Sequence, residues 1–324
     1  MKTKPFKLLG CAALSCLFAF VSQAQSVSST PVGYVTQTIN AGTGNGRVLT
    51  GFALPLYSPV SSGTVSTTTA TTVTDDTASF ADLSQAAAPN SVKITSGSLE
   101  GMLFPITSNT ATEITVSGDL SGLVAADTFE VVAVDTLSSL FGGPSDGVIY
   151  GGSKDVADIV WVLTSTGTWS KYYNNGTNWV RDARGNPNSD NLAVQPDSGI
   201  LIQRINAAST DFVLTGTVPT TQSVIGLSSS GLSVWSNTFP TDITLSETNI
   251  QNAFEFSSTD LVYSLTATGT WTKYFHDGTN WRRQARGNPL SDDAVIASGT
   301  ALLISKASAG TTDSTVTTAL PYSL

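Results

Sequence analysis

The sequence predicts an all-β protein: two tandem sandwich- or barrel-like copies of one module, with a small inserted β-barrel in the N-terminal part. Three observations carry this reading. Ser and Thr make up about a quarter of the chain, while charged residues reach only 12%, roughly half the usual share for a globular domain. Apolar and aromatic residues nonetheless alternate too regularly for disorder, and β-branched Thr suits a half-exposed pleated surface. No long amphipathic helix separates the strand-like runs, which argues against a parallel βαβ organisation. Finally, residues 164–190 (TSTGTWSKYYNNGTNWVRDARGNPNSD) and 266–292 (TATGTWTKYFHDGTNWRRQARGNPLSD) match at a constant offset of 102. The same offset relates Asp158 to Asp260, Leu163 to Leu265, Asp211 to Asp313 and Pro219 to Pro321. A match this long marks a tandem duplication.

The N-terminus explains the destination. A basic stretch ending at Lys7 precedes a nearly apolar run from Leu8 to Val21, then Ser22-Gln23-Ala24. This is the pattern of a secretory signal, residues 1–24, cleaved before Gln25. The apolar run is too short to span a hydrocarbon core of about 30 Å comfortably. A retained anchor helix and lipidation at Cys11 are the competing readings; the apolar run continues well past that cysteine. Cys11 and Cys16 both lie in the leader, so the exported chain holds no thiol, disulfide or Cys-ligated metal. Loss of Lys2, Lys4 and Lys7 leaves 12 basic against 24 acidic residues, a net charge of −12. Such a surface argues against nucleic acid and anionic lipid as partners. It suits the periplasm, the outer surface or the extracellular space, with no integral membrane span after cleavage.

Residues 25–58 hold strands at 33–39 and 47–56, expected to complete the first copy as the end of that copy completes the second. Residues 59–134 form a separate block of short alternating runs, at 63–67, 91–95, 102–107, 113–117 and 128–132. That spacing predicts the inserted barrel. The first copy then occupies 135–222 and the second 223–324. Short helical turns are expected at 136–141 and 246–254, with Asp135, just before Thr136, and Ser246 as N-caps.

Each copy contains a hairpin. Asn175-Gly176 and Asp277-Gly278 fit a two-residue type I′ turn, which sets Tyr172 opposite Trp179 and Tyr274 opposite Trp281. One face then carries the Tyr–Trp pair with Arg181 or Arg283. The other carries Trp169, Lys171 and Tyr173, or Trp271, Lys273 and Phe275. A further strand follows the polar loop, at 199–203 and 301–305.

The succession of TGFALPL (50–56), SGSLEGMLFPITSNTATEITVSGDLSGL (96–123), ADTF (126–129), DTLSSLFGG (135–143), TGTWSKYYNNGTNW (166–179) and SGILIQR (198–204) resembles a family of secreted bacterial β-rich proteins of unknown function, with many paralogues per genome. The resemblance implies export and a β-rich body, and it carries over no catalytic residues.

Candidate chemistry is sparse. Nucleophilic catalysis usually needs a histidine base, and the only one is His276, beside a turn. One histidine and no cysteine outside the leader leave no zinc set, and no cofactor is expected. Outside the leader there are five glutamates, Glu100, Glu113, Glu130, Glu247 and Glu255, none in the duplicated motif. The aspartates shared by both copies (Asp158/Asp260, Asp190/Asp292 and Asp211/Asp313) suit turn and strand-start roles. Calcium on Asn186, Ser189 and Asp190 matches no strong pattern. The remaining constellation is aromatic: Trp169, Tyr172, Tyr173 and Trp179, then Trp271, Tyr274, Phe275 and Trp281. These are core rings or, because both hairpin faces carry them, platforms for sugar faces. The main expectation is a secreted, non-catalytic structural or adhesive component of the cell envelope or extracellular matrix, touching polysaccharide, other matrix proteins or further copies of itself. The alternatives are a glycan-binding module using the hairpin aromatics, and a carbohydrate-active enzyme relying on aspartates.

Overall fold

The computed structural model describes residues 31–43, 46–143, 149–205, 208–253, 256–307 and 313–323. The expected leader lies outside them. The chain opens with β1 (Val32–Ile39) and β2 (Val48–Phe52). The insert follows: β3 (Ser58–Thr64), β4 (Thr67–Thr68), β5 (Thr72–Thr74), β6 (Asn90–Ile94), β7 (Leu103–Asn109), β8 (Glu113–Val116) and β9 (Thr128–Ala133). Next come β10 (Asp135–Thr136), α1 (Leu137–Phe141), β11 (Ile159–Leu163), β12 (Trp169–Asn174), β13 (Trp179–Arg181), β14 (Ala193–Val194), β15 (Ile200–Arg204) and β16 (Thr210–Thr217). The last stretch holds β17 (Ser223–Leu227), β18 (Gly231–Ser236), β19 (Ile243–Thr244), α2 (Ile250–Ala253), β20 (Leu261–Leu265), β21 (Trp271–His276), β22 (Trp281–Arg283), β23 (Val295–Ile296), β24 (Ala301–Lys306) and β25 (Ser314–Thr318). The protein is all-β; among the described residues every strand pairs antiparallel and two short helices form. No described helix is long and apolar enough to cross a membrane.

Two five-stranded sheets have corresponding order, β13-β12-β11-β15-β2 and β22-β21-β20-β24-β18. Two-stranded ribbons accompany them, β1·β16 with the first and β17·β25 with the second. Strand β2 joins the first sheet by pairing with β15, from Phe52 opposite Ile200 to Val48 opposite Arg204. Each ribbon turns alternate side chains inward: Ile39, Phe212 and Leu214 meet Phe52, Phe141, Val160, Trp179 and Ile202 in one core. Ile225, Leu227 and Val316 meet Trp235, Val262, Trp281 and Ile304 in the other.

The cap of helix α1 is Thr136 rather than the expected Asp135: Thr136 accepts from Ser139 N and the Ser139 hydroxyl accepts from Thr136 N, a reciprocal cap. Near Ser246 the outcome differs from expectation. Residues 245–248 form a turn in which Glu247 accepts from Thr244 N, and the helix begins only at Ile250.

The insert is one curled sheet, β3-β9-β6-β7-β8-β5-β4, around Val73, Val92, Ile94, Phe104, Ile114 and Phe129. Its first strand runs Ser58–Thr64 rather than 63–67. A bulge between Ile106 and Ser108 bends β7. The two end strands, β3 and β4, are successive parts of one segment: Val65 N donates to Asp127 O on one side and Ser66 N to Thr74 O on the other.

Contacts between the two five-stranded sheets come in reciprocal pairs. A Cβ on Gly51 of β2 would lie 2.8 Å from Ala301 O, and one on Gly199 would lie 2.9 Å from Val234 Cγ1 of β18. The tip glycine Gly269 (φ +72°) sits against Leu49, while Gly167 (φ +72°) faces Leu232. Positive φ and this close approach both call for glycine at Gly269.

Among the described residues each sheet holds a buried ion pair between directly opposed residues. Arg204 Nε donates to Asp158 at 3.0 Å, and Lys306 Nζ to Asp260 at 2.8 Å. Asp158 also accepts from Tyr150 N and Ile205 N; Asp260 accepts from Ser257 N and Ala307 N. Burial alone would push Asp260 up, but hydrogen bonds from Lys306 and those amides hold its carboxyl below the usual range. Because the folded pKa is depressed, its stabilisation is present above the unfolded value of about 3.9 and is lost as pH falls through the folded value. Asp260→Ala is expected to cost about 3–5 kcal/mol in urea unfolding at neutral pH, by removing the carboxylate that faces a buried ammonium. Asp260→Leu with Lys306→Met should cost far less. In the wild type, stability should decline as pH drops below about 4, less steeply in that double variant. Equal costs for the single and double variants would contradict this role.

Candidate functional site

The duplicated hairpins do not close through type I′ turns. Asn174 lies opposite Trp179 and Tyr172 opposite Arg181; likewise His276 lies opposite Trp281 and Tyr274 opposite Arg283. The loop is four residues long. The Asn175 side chain accepts from Thr177 N and Asn178 N, and Asp277 accepts from Thr279 N and Asn280 N. This Asx cap replaces a backbone carbonyl and widens the loop, so only the glycines, Gly176 (φ +101°) and Gly278 (φ +96°), take positive φ. The register differs from expectation by two residues, which leaves every side chain on its expected face.

The inner face is core. Trp179 and Trp281 are each 1% exposed, and their indole N–H groups donate to Gly142 O at 3.0 Å and Gln251 Oε1 at 3.2 Å. Tyr172 is buried beside Trp179, and Tyr274 packs half-buried against the second core. Burial pushes the Tyr274 phenol up, against the nearby Arg283 charge. As candidate ligand platforms, Tyr172, Trp179 and Trp281 are therefore corrected to core residues, because the ribbons and helices cover that face. His276 stacks edge-on to Trp281, with centroids 5.3 Å apart.

The outer face is partly open. In the first copy Trp169 meets Trp161 edge-to-face at 6.3 Å, and Lys171 lies 4.2 Å over the Trp161 ring. Trp161 Nε1 donates to Gln203. In the second copy Trp271 meets Tyr263 at 6.0 Å, and Lys273 lies 5.5 Å over Tyr263. The copies part company below this. Tyr173 is buried with Ala157, Ile159 and Val180 under the segment around Ser153–Asp158, whereas Phe275 stays half-exposed. Between the residues bonded alike to Asp190 O and Asp292 O, Ser138 and Ser246, and the paired aspartates, the first copy has the longer connection.

An open cleft of about 360 Å³ lies at the start of β21, beyond the end of its pairing with β22, lined by Trp271, Thr272, Lys273, Arg283 and Gln284. A larger one of about 620 Å³ on the insert includes Asp75, Glu100 and Glu130; Asp75 is held by Thr64 N and Thr77. Among the described residues no group of three or more His, Cys, Asp or Glu side chains is placed to hold a metal.

The shared loop aspartates are anchors. Asp190 accepts from Trp179 N and Asp292 from Trp281 N, both at 2.7 Å; Asp190 also accepts from Asn188. Asn186 takes a left-handed conformation (φ 41°) and Ser189 Oγ donates to Pro187 O.

Sequence reasoning missed Tyr263 as a ring partner, Arg204 and Lys306 as partners of the shared aspartates, and Lys93. Lys93 is buried with its ammonium 4.2 Å over the Tyr57 ring, and burial lowers it to about 8 against the pull of Glu130 and Glu100. The aromatic and ionic partners keep their character at the 102-residue offset, which is the signal that finds them; Lys93, outside the duplication, left none. The chain matches no protein-family model, no curated protein and no solved structure.

Asp190→Ala and Asp292→Ala should each lower stability by about 1–3 kcal/mol in urea unfolding, by leaving a Trp amide unpaired. Retained stability in either variant would free that carboxylate for another role.

Proposed function

We propose that this chain is an exported, non-catalytic structural or adhesive component of a cell envelope or extracellular matrix. One observation supports it most. The outward face of the β1·β16 ribbon carries Val32 (80% exposed), Tyr34 (75%) and Val213 (58%) among Thr36, Thr38, Thr215 and Thr217. Among the described residues its strands pair only with each other, apart from one bridge between Thr217 and Tyr57. Free edges with an apolar face favour lateral association. The insert covers the start of the other ribbon, where Val224 N donates to Gly101 O. Asp190 and Asp292, which an aspartate-dependent enzyme would use, are committed to main-chain amides.

Fractionation of producing cells is expected to place the protein with envelope or matrix, released by mild denaturant. Val32→Asp with Tyr34→Asp should move most of it to the soluble fraction while shifting the melting temperature by less than about 2 °C. Wild-type protein found only as free periplasmic monomer would overturn the proposal.

The half-exposed ring pairs Trp161–Trp169 and Tyr263–Trp271 favour a second reading, glycan binding at two weak sites that gain avidity on a polymer. Trp169→Ala with Trp271→Ala should weaken retention on a polysaccharide about tenfold or more, with little change in melting temperature. A large fall in melting temperature would mark those rings as structural instead.

A further inference from the structure

We propose that the outward face of the β1·β16 ribbon of one chain seats on the outer face of the β21–β22 hairpin of a second copy, with Asp211 facing Lys273. This rests on the envelope or matrix reading and names the partner that the ribbon face takes.

The ribbon face is acidic as well as apolar. Asp211 lies opposite Thr38, on the same side as Val32, Tyr34 and Val213, and no cation stands on that side of either strand. Its carboxylate is exposed and accepts from Thr38 Oγ1 at 2.7 Å, with no ion pair among the described residues. Ribbon against ribbon would bring carboxylates together with nothing to neutralise them. The chain carries 24 acidic against 15 basic residues, so this face meets like charge over much of a second copy.

On the second hairpin the sign reverses. The registers place Lys273 and Phe275 on its outer face, across from Tyr263 and Arg282, and the bridge from Arg282 puts Leu290 on that side too. Lys273 is exposed, its ammonium 5.5 Å from the Tyr263 ring and in no ion pair among the described residues. Arg282 is already neutralised by Asp277. Phe275 is half-exposed and Leu290 is 60% exposed.

The first copy shows that this face takes a cover. There Ile159, Tyr173 and Val180 are buried with Ala157, and Asn188 stands where the second copy has Leu290. Arg47 holds the covering segment by donating to Lys154 O and Ala157 O, both at 2.7 Å. The second copy has the shorter connection and a leucine in place of the polar side chain, so its face is left to be covered from outside. Ribbon on hairpin removes both apolar faces from water and matches their charges. Because the two faces differ, each chain offers one of each, and copies add one after another.

Sedimentation velocity of the purified full chain across a concentration series tests this. Wild-type protein should form a ladder of oligomers that shortens as salt is raised. Asp211→Lys and Lys273→Glu should each weaken association about tenfold or more, since each sets like charges face to face. Mixing these two variants, or joining them in one chain, restores opposite charges at the contact and should bring the ladder back. Leu290→Asp should break it with the melting temperature unchanged, whereas Lys171→Glu on the covered first hairpin should leave it as it was. If the double variant fails to recover while Val32→Asp with Tyr34→Asp still releases the protein from the envelope, the hairpin is not the partner and the envelope reading stands. A wild-type chain that stays monomeric yet fractionates with the envelope would likewise overturn this contact alone. Wild-type protein neither self-associated nor in the envelope would overturn both.

Discussion

The buried pairing of an aspartate with a cation on the neighbouring strand organises each five-stranded sheet. Asp158 stands just before β11 and Arg204 ends β15, and the register puts them directly across from one another; Asp260 and Lys306 repeat this between β20 and β24. A carboxylate that deep is tolerable only with its partner and amide donors in place. A one-residue slip between these strands would separate the charges and turn every side chain to the opposite face. Trp179 and Trp281 would then leave their cores. Arg204 and Lys306 do this work differently. The guanidinium also reaches Thr210 Oγ1 at 2.5 Å and so ties the sheet to the start of β16, while the compact ammonium lies 5.9 Å from the Phe256 ring.

Much of this architecture is legible in the chain. Period-two alternation gives strands and their faces, and the duplicated stretch gives the same hairpin twice. The turn is harder to read, because Asn-Gly and Asp-Gly suit a type I′ loop as well as an Asx-capped one. Which of them forms is decided by where the first side chain's oxygen points. The division of aromatics between core and surface is not legible either. Trp179 and Trp169 both lie in short strands of mixed polarity, and only the ribbon β1·β16, in which Val35 pairs with Leu214 across 179 residues, selects the face to be covered. Contacts of that sequence separation leave no local periodicity. The Asp158–Arg204 pairing has the same character, visible beforehand only as two charges that persist at both ends of the offset.

The two copies share a framework and differ in what they cover. A longer connection ahead of Asp158 folds over Tyr173 and brings Lys154 to Asp182, whereas Phe256 in the second copy turns to the inner ring of Trp281, at 5.4 Å. The same hairpin is thereby closed on one side of the molecule and accessible on the other. The insert adds to this asymmetry, entering between β2 and β10 and bonding through Gly101 and Glu100 to Val224 and Gln222 of the second copy.

The reciprocal contact of Gly51 with Ala301 and Gly199 with Val234 has a consequence for assembly. It is an isologous joint made within one chain, each half presenting the patch that the other accepts. Such a joint saturates itself. It leaves no unmatched head or tail from which a filament could grow, so chain-to-chain propagation through this surface is closed off, and any larger lattice has to be built on a different contact.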